Sequence, residues 1–166
     1  MKQKQQQLNN SQRQSLLSIE NPRRDLVFSE IESGIINTYF AIVETSIINI
    51  EGLKNAIPNH TPLHFTGHGY YLFDGPKRSA LECINESKLT AYDISHLNCN
   101  SYELITLSAC ETALNGKQTL NSEYVGLVSA FLQSGANCVV STLWTVDETS
   151  SAWLMIDFYQ KYRAGI

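Results

Sequence analysis

Leu63-His64-Phe65-Thr66-Gly67-His68-Gly69 and Leu104-Ile105-Thr106-Leu107-Ser108-Ala109-Cys110-Glu111-Thr112 are short apolar runs that each end in a reactive side chain. Such runs, bounded by turn residues, read as buried strands of a parallel sheet. In open α/β sheets, chemistry collects at the carboxyl ends of these strands. The two stretches therefore set a histidine, His68, and a cysteine, Cys110, at the tips of two candidate neighbouring strands. A cysteine nucleophile needs that pairing, because the thiolate attacks and a nearby imidazole raises its population.

Working outward, Leu16–Ile19 reads as a first strand, ended by Asn21-Pro22 because the residue before proline avoids helix. Ile31, Ile35 and Ile36 fall at helical spacing after Asp25 or Ser29 as cap. Ala41–Val43 reads as a second strand, and Ile50, Leu53 and Ile57 as a short helix before Pro58. Asp74-Gly75-Pro76 is a turn signal flanked by Leu72 and Ser79–Ile84, like the arms of a hairpin that walls a cleft beside His68. A helix capped by Thr90 runs to Leu97, and Tyr102–Leu107 is strand four. Residues 113–122 are polar and read as an exposed loop. Val125, Val128, Phe131 and Leu132 form an amphipathic helix stopped by Gly135. Cys138–Thr142 is strand five, and 148–162 the last helix. Strands alternating with helices imply an α/β fold with a doubly wound, mostly parallel sheet.

The 166 residues, 43% of them hydrophobic, suit one globular domain with a real core. Residues 1–14 hold six glutamines among scattered basic residues, too little apolar area to offset ordering entropy, and read as a linker or frayed helix. The domain then spans 15–166. Residues 1–24 carry a balance of +4 and the remainder −8. An acidic body argues against a nucleic-acid groove and favours basic peptide substrates. Cys83, Cys99, Cys110 and Cys138 have no Cys-x-x-Cys spacing and read as reduced thiols of a cytoplasmic protein. The Gln-rich start does not read as a signal peptide, and no apolar run approaches the ~18 residues that span a bilayer. There is no third glycine after Gly67-x-Gly69, no Gly-x-x-x-x-Gly-Lys-Ser/Thr loop and no Gly-x-Ser-x-Gly elbow.

Five segments in series resemble the CHAT family, caspase-like peptidases often attached to tetratricopeptide repeats, whose relatives include caspases, separases and gingipains. Asn21-Pro22-Arg23-Arg24-Asp25-Leu26 resembles its opening Asn-Pro-x-x-Asp-Leu, and His64–Gly69 its His-Phe-x-Gly-His-Gly. Leu107–Thr112 resembles its Leu-Ser-Ala-Cys-Glu-Thr. Val125-Gly126-Leu127, Ala130-Phe131-Leu132 and Gly135-Ala136 resemble its central helix, and Ser141-Thr142-Leu143-Trp144-Thr145-Val146 the strand and loop after it. The resemblance implies a three-layer αβα fold and a peptidase with Cys110 as nucleophile and His68 as acid–base partner. It also implies the amides of Gly69 and Cys110 as oxyanion hole, a peptide or protein substrate, and a regulatory repeat module or partner protein. Family members continue past the last helix with another strand and helix, so the domain is expected to be C-terminally incomplete at Ile166. Where the family often has an acidic residue four positions after the Trp and a Thr three further on, this chain has Glu148 and Ser151.

Each site residue also has a plainer reading. A free cysteine is most often a small buried hydrophobe, and a histidine after a strand a surface-loop residue. Glycines on both sides of His68 favour close substrate approach instead. His64 lies four residues before His68, but on a strand that offset spans ~13 Å, so a metal pair is not expected and His64 reads as packed and hydrogen-bonded. Trp144, Asp147 and Glu148 read as a pocket with an apolar wall and acidic floor, or as local packing and helix N-terminal charge. Glu111 reads as a substrate contact or a helix cap. No cofactor and no metal are expected, nor a nucleic-acid or membrane partner. The function expected is a caspase-like cysteine endopeptidase; the alternative is a catalytically silent interaction or scaffold domain of the same fold.

Overall fold

The computed structural model describes residues 15–45, 52–53, 62–70, 79–84, 87–111, 124–142 and 146–166, with the backbone alone at 110–111 and 124–125. The readings of 1–14, of most of the helix at 50–57, of the turn at 74–76, of the loop at 113–122 and of Trp144 lie outside these residues.

Seven strands and four helices lie among the described residues. They are β1 (Ser15–Glu20), α1 (Val27–Asn37), β2 (Ile42–Thr45), β3 (Pro62–Tyr70), β4 (Ala80–Glu82), β5 (Lys88–Thr90), α2 (Ala91–Ser95), β6 (Leu104–Glu111), α3 (Tyr124–Gln133), β7 (Val139–Ser141) and α4 (Glu148–Ala164). The fold is α/β with a mixed sheet. β3 is its centre, parallel to β1 through 63–66 and parallel to β6 through 62–69. Because β6 follows one side of β3 along this whole stretch, β1 and β4 share the other side in succession. β4 pairs antiparallel with Gly69 and Tyr70, and β5 antiparallel with β4. β2 and β7 flank the parallel part beyond β1 and β6.

Successive strand residues point to opposite faces, and the faces differ in chemistry. One is apolar: Leu17 and Ile19 of β1, Leu63 and Phe65 of β3, and Ile105, Leu107 and Ala109 of β6 are buried in one cluster with Ile94, Leu97, Leu127, Ala130 and Phe131 from around α2 and α3. Each fully buried Leu, Ile or Phe side chain there stabilises the fold by about 1.5–3 kcal/mol. The opposite face carries His64, Thr66 and His68 on β3 and Thr106 and Ser108 on β6, with Leu16 and Leu104 among them. It is covered by Ile36 of α1 and Met155, Ile156 and Tyr159 of α4. The apolar runs of the sequence are thus half apolar, their even positions forming a buried polar stripe.

Local chemistry accounts for the helix ends. Thr90 caps α2 through a capping box with Asp93. Gly135 ends α3 at φ +105, where an added Cβ would lie 2.0 Å from Asn100 Oδ1. Neither Asp25 nor Ser29 caps α1; its N-cap is Leu26, which offers no side-chain acceptor. Glu148 supplies one from α4 instead, accepting from the backbone N–H of Phe28 at 2.8 Å and of Ser29 at 3.3 Å. Among the described residues no helix is long and apolar enough to cross a membrane.

Candidate active site

His68 and Cys110 lie inside β3 and β6, not beyond their tips, since β3 runs on to Tyr70 and β6 to Glu111. The register is what joins them: His64 pairs with Thr106, Thr66 with Ser108, His68 with Cys110 and Gly69 with Glu111. Register partners on parallel strands occupy one face of a sheet, ~4.8 Å apart. His68 and Cys110 therefore share the polar face, one or two residues from the carboxyl end of each strand.

Gly67 explains how the opening motif reaches His68. Its φ is +154, and an added Cβ would meet Pro22 Cδ at 3.2 Å and Phe65 Cζ at 3.3 Å. Removing the side chain lets the turn after β1 cross directly over β3. Asn21 N–H donates to Thr66 O at 2.6 Å, and Arg24 N–H to Asn21 O at 2.9 Å. With the Asn21 amide assigned from its surroundings, its oxygen accepts from the N–H groups of Asp25 at 2.9 Å and Leu26 at 2.8 Å. Its nitrogen donates to Asp25 Oδ1 at 3.2 Å. The turn is closed by its own hydrogen bonds, and it delivers Asp25.

Asp25 Oδ1 stands 2.9 Å from His68 Nε2. Burial pushes the Asp25 carboxyl up, but the hydrogen bond and charge of His68, then the charge of Arg23, outweigh it and hold the carboxyl below its usual range. An ionised carboxylate accepts only, so Nε2 carries the proton. In the neutral ring Nδ1 is then the free lone pair. Nδ1 is buried and has no hydrogen-bond partner among the described residues. His68 is 4% exposed, while the Asp25 side chain is 39% exposed, so the pair borders solvent at its carboxylate end.

The other residues singled out from the sequence fall in different places. Gly69 lies between Glu111 of β6 and Leu81 of β4. Asp147 is the N-cap of α4, accepting from Ser150 N–H at 2.9 Å, and Glu148 holds the start of α1. Both carboxylates are thus engaged at helix N-termini, where negative charge is favoured. His64 is fully buried, with Nδ1 2.7 Å from Thr106 Oγ1 and Nε2 3.1 Å from Glu32 Oε1. The second contact is close but not aligned as a hydrogen bond. Burial pushes the Cys83 thiol up to about 11 and raises that of Cys99. Asp25 is a site residue that the sequence does not reveal: helical spacing offers it, or Ser29, as a cap, although it stands in the Asn-Pro-x-x-Asp-Leu motif.

A protein-family model described as CHAT domain matches residues 5–166. Tetratricopeptide repeat protein 28 of Mus musculus is 36% identical over 83 residues, which are 50% of this chain and 3% of the mouse protein. The chain therefore corresponds to a small part of that relative.

Proposed function

The chain belongs to the CHAT domain family, and from that premise we propose that it is a caspase-like cysteine endopeptidase working through Cys110 and His68. The observation that carries the reading is the register pair His68–Cys110 combined with an imidazole held through Nε2 by Asp25 and without a partner at Nδ1 among the described residues. A neutral imidazole with its acceptor nitrogen free can take the thiol proton. The Cys110 thiolate adds to the scissile carbonyl carbon, and the carbonyl electron pair moves onto oxygen, facing the amides of Gly69 and Cys110. Collapse of this adduct breaks the C–N bond, and His68 Nδ1–H protonates the departing amine. A thioester remains. Water, losing a proton to His68, then hydrolyses the thioester to a carboxylic acid and restores the thiol. Asp25 keeps one ring tautomer throughout and stabilises the imidazolium.

The finer fold reading, a caspase-like doubly wound three-layer sheet, goes with this proposal, as do regulation by a tetratricopeptide repeat module and a cytoplasmic site of action. The repeat association is motivated by the name of the mouse relative. Glu111, Trp144 and Asp147 are carried forward as the substrate-facing set, while Glu148, accepting from two backbone N–H groups at the start of α1, serves as its cap.

Competitive alkylation by iodoacetamide at pH 6.5, read cysteine by cysteine in parallel with a peptide-library cleavage assay, tests the function. Cys83 and Cys99 are buried with raised pKa values and should stay unmodified, whereas exposed Cys138 gives the ordinary rate. Cys110 should react at least about tenfold faster than Cys138, as a thiolate maintained by an imidazole does. A Cys110 no faster than Cys138, with no peptide cleaved, would leave the catalytically silent scaffold as the reading of this fold.

A further inference from the structure

Beyond Asp25, the turn after β1 touches the β4–β5 hairpin. Arg23 Nε lies 3.1 Å from Asp25 Oδ2, and its Nη1 lies 3.7 Å from Glu82 Oε2. Glu82 ends β4 and is 2% exposed; the Tyr70 hydroxyl donates to the same oxygen at 2.5 Å. Lys88, the register partner of Glu82 on β5, stands 4.1 Å from the centroid of the Tyr70 ring. A carboxylate this deeply buried is costly unless it is paired and hydrogen-bonded. Tyr70 and Arg23 provide that pairing, while the Arg23 side chain remains 47% exposed. The two carboxylates in turn hold the guanidinium, Asp25 more strongly than Glu82. One chain of polar contacts therefore runs from the hairpin to the imidazole: Glu82, Arg23, Asp25, His68. The chemistry proposed above uses only its last two members.

We propose that Arg23 and Glu82 are positioning residues for the His68–Asp25 pair. Glu82 is fixed by the hairpin and by Tyr70, and it aims the guanidinium. The guanidinium, whose donors form a rigid fork, engages Oδ2 and so leaves Oδ1 facing Nε2. An Asp at the edge of solvent without that clamp rotates and hydrates. The imidazole then loses the partner that selects its tautomer. The consequence for turnover rests on the peptidase reading, but the alignment of Asp25 does not.

The test separates those two. The hydrogen-bonded Nε2–H proton of His68 gives a downfield resonance in the proton spectrum of the ¹⁵N-labelled protein, and Asp25→Asn identifies it by shifting or abolishing it. Glu82→Gln keeps an acceptor for Tyr70 but removes the charge that holds Arg23; Arg23→Gln removes the clamp from a half-exposed position with little demand on folding. Each should broaden the resonance or move it upfield in a protein that melts within a few degrees of wild type. Each should also lower kcat about tenfold with KM within about twofold, since the loss falls on the protonation steps. An unchanged resonance in both variants overturns the proposal, and so does its absence from wild type at low temperature. A wild-type protein that shows the resonance and its response in both variants but cleaves no peptide sinks the peptidase reading and leaves the alignment standing.

Discussion

β3 carries two histidines on one face, four residues apart, and each has a carboxylate from the chain that follows β1 and a register partner on β6. His64 has Glu32 and Thr106; His68 has Asp25 and Cys110. In both, the carboxylate side is Nε2. The inner set, hydroxyl–imidazole–carboxylate, would pass for a catalytic arrangement on distances alone. It is sealed: His64 shows no exposure, Glu32 is 2% exposed, and the Thr106 hydroxyl also meets Tyr159 OH at 2.7 Å. Glu32 further accepts from Ser108 Oγ at 3.0 Å, and Ser108 meets Ser151 Oγ at 3.2 Å. The outer set borders solvent through Asp25 and leaves one ring nitrogen without a partner among the described residues. The inner set has its own pair without an aligned hydrogen bond, His64 Nε2 and Glu32 Oε1, so an unmet bond alone does not set the outer set apart. The difference between stapling the fold and doing chemistry lies in access, not in residue types.

Breaking the outer set should have the largest effect on activity. Cys110→Ala should abolish peptide cleavage, and His68→Ala should lower it by roughly 10³-fold or more, because residues acting as one unit fail together. Circular dichroism and melting should report a retained fold in both. Cleavage by Cys110→Ala at a rate near wild type would end the nucleophile assignment. Breaking the inner set should do the reverse. Glu32→Ala takes an acceptor from Ser108 and a neighbour from His64 in the core, at a cost of about 1–3 kcal/mol. For a chain of this size that lowers the melting temperature by roughly 2–12 °C. Turnover per folded molecule, measured well below that temperature, should stay within a few-fold of wild type.

The two sets also differ in how legible they were. Strand identity came from local pattern: Ser15–Glu20, Pro62–Tyr70 and Leu104–Glu111 overlap the apolar runs, although β3 and β6 continue through the glycines, His68 and Cys110. Those extensions are tertiary. β6 and β4 bond a segment that by composition resembles a loop. The polar stripe is visible in the strict alternation His64, Thr66, His68 and Thr106, Ser108, Cys110, once period two is applied to a run that looks simply apolar. Asp25 was out of reach because its partner lies 43 residues away and a turn residue has no periodicity to betray it. The link from Glu148 to the start of α1, 120 residues apart, was hidden for the same reason.

A milder cut through the outer set is Asp25→Asn. The ring keeps its place but loses the acceptor that defines its tautomer, so turnover should fall about 10²-fold or more, the scale of a displaced acid–base group. The stability signature has a definite sign. The Asp25 carboxyl has a lowered pKa in the folded protein, so its contribution is fully present above the unfolded carboxyl value and is lost as pH falls through the folded one. Denaturation of wild type and Asp25→Asn across pH 7 to pH 2 should therefore converge at the acid end. A stability gap that widens on acidification would contradict the pairing with His68.

The smallest effect belongs to Glu148, and it decides between two uses of one side chain. As the acceptor for Phe28 and Ser29 it secures the first turn of α1, two residues after Asp25. Glu148→Ala should cost about 1–2 kcal/mol, as the loss of a helix cap does. Glu148→Gln keeps an acceptor oxygen and gives up only the charge at the helix N-terminus, about 0.3–1 kcal/mol. If capping is its whole role, both variants should lower turnover of Arg-, Lys-, Asp- and Leu-terminated fluorogenic peptides by a common factor, because α1 and the adjoining Asp25 are all they disturb. If Glu148 also faces substrate, the losses should concentrate on the Arg and Lys peptides, and Glu148→Gln should show that bias despite its smaller effect on melting. Both backbone N–H groups use Oε1, so a guanidinium would find only Oε2 free and could not pair with both oxygens as a fork. The uniform factor is therefore the expected result, and a selective loss of basic peptides would return Glu148 to the pocket.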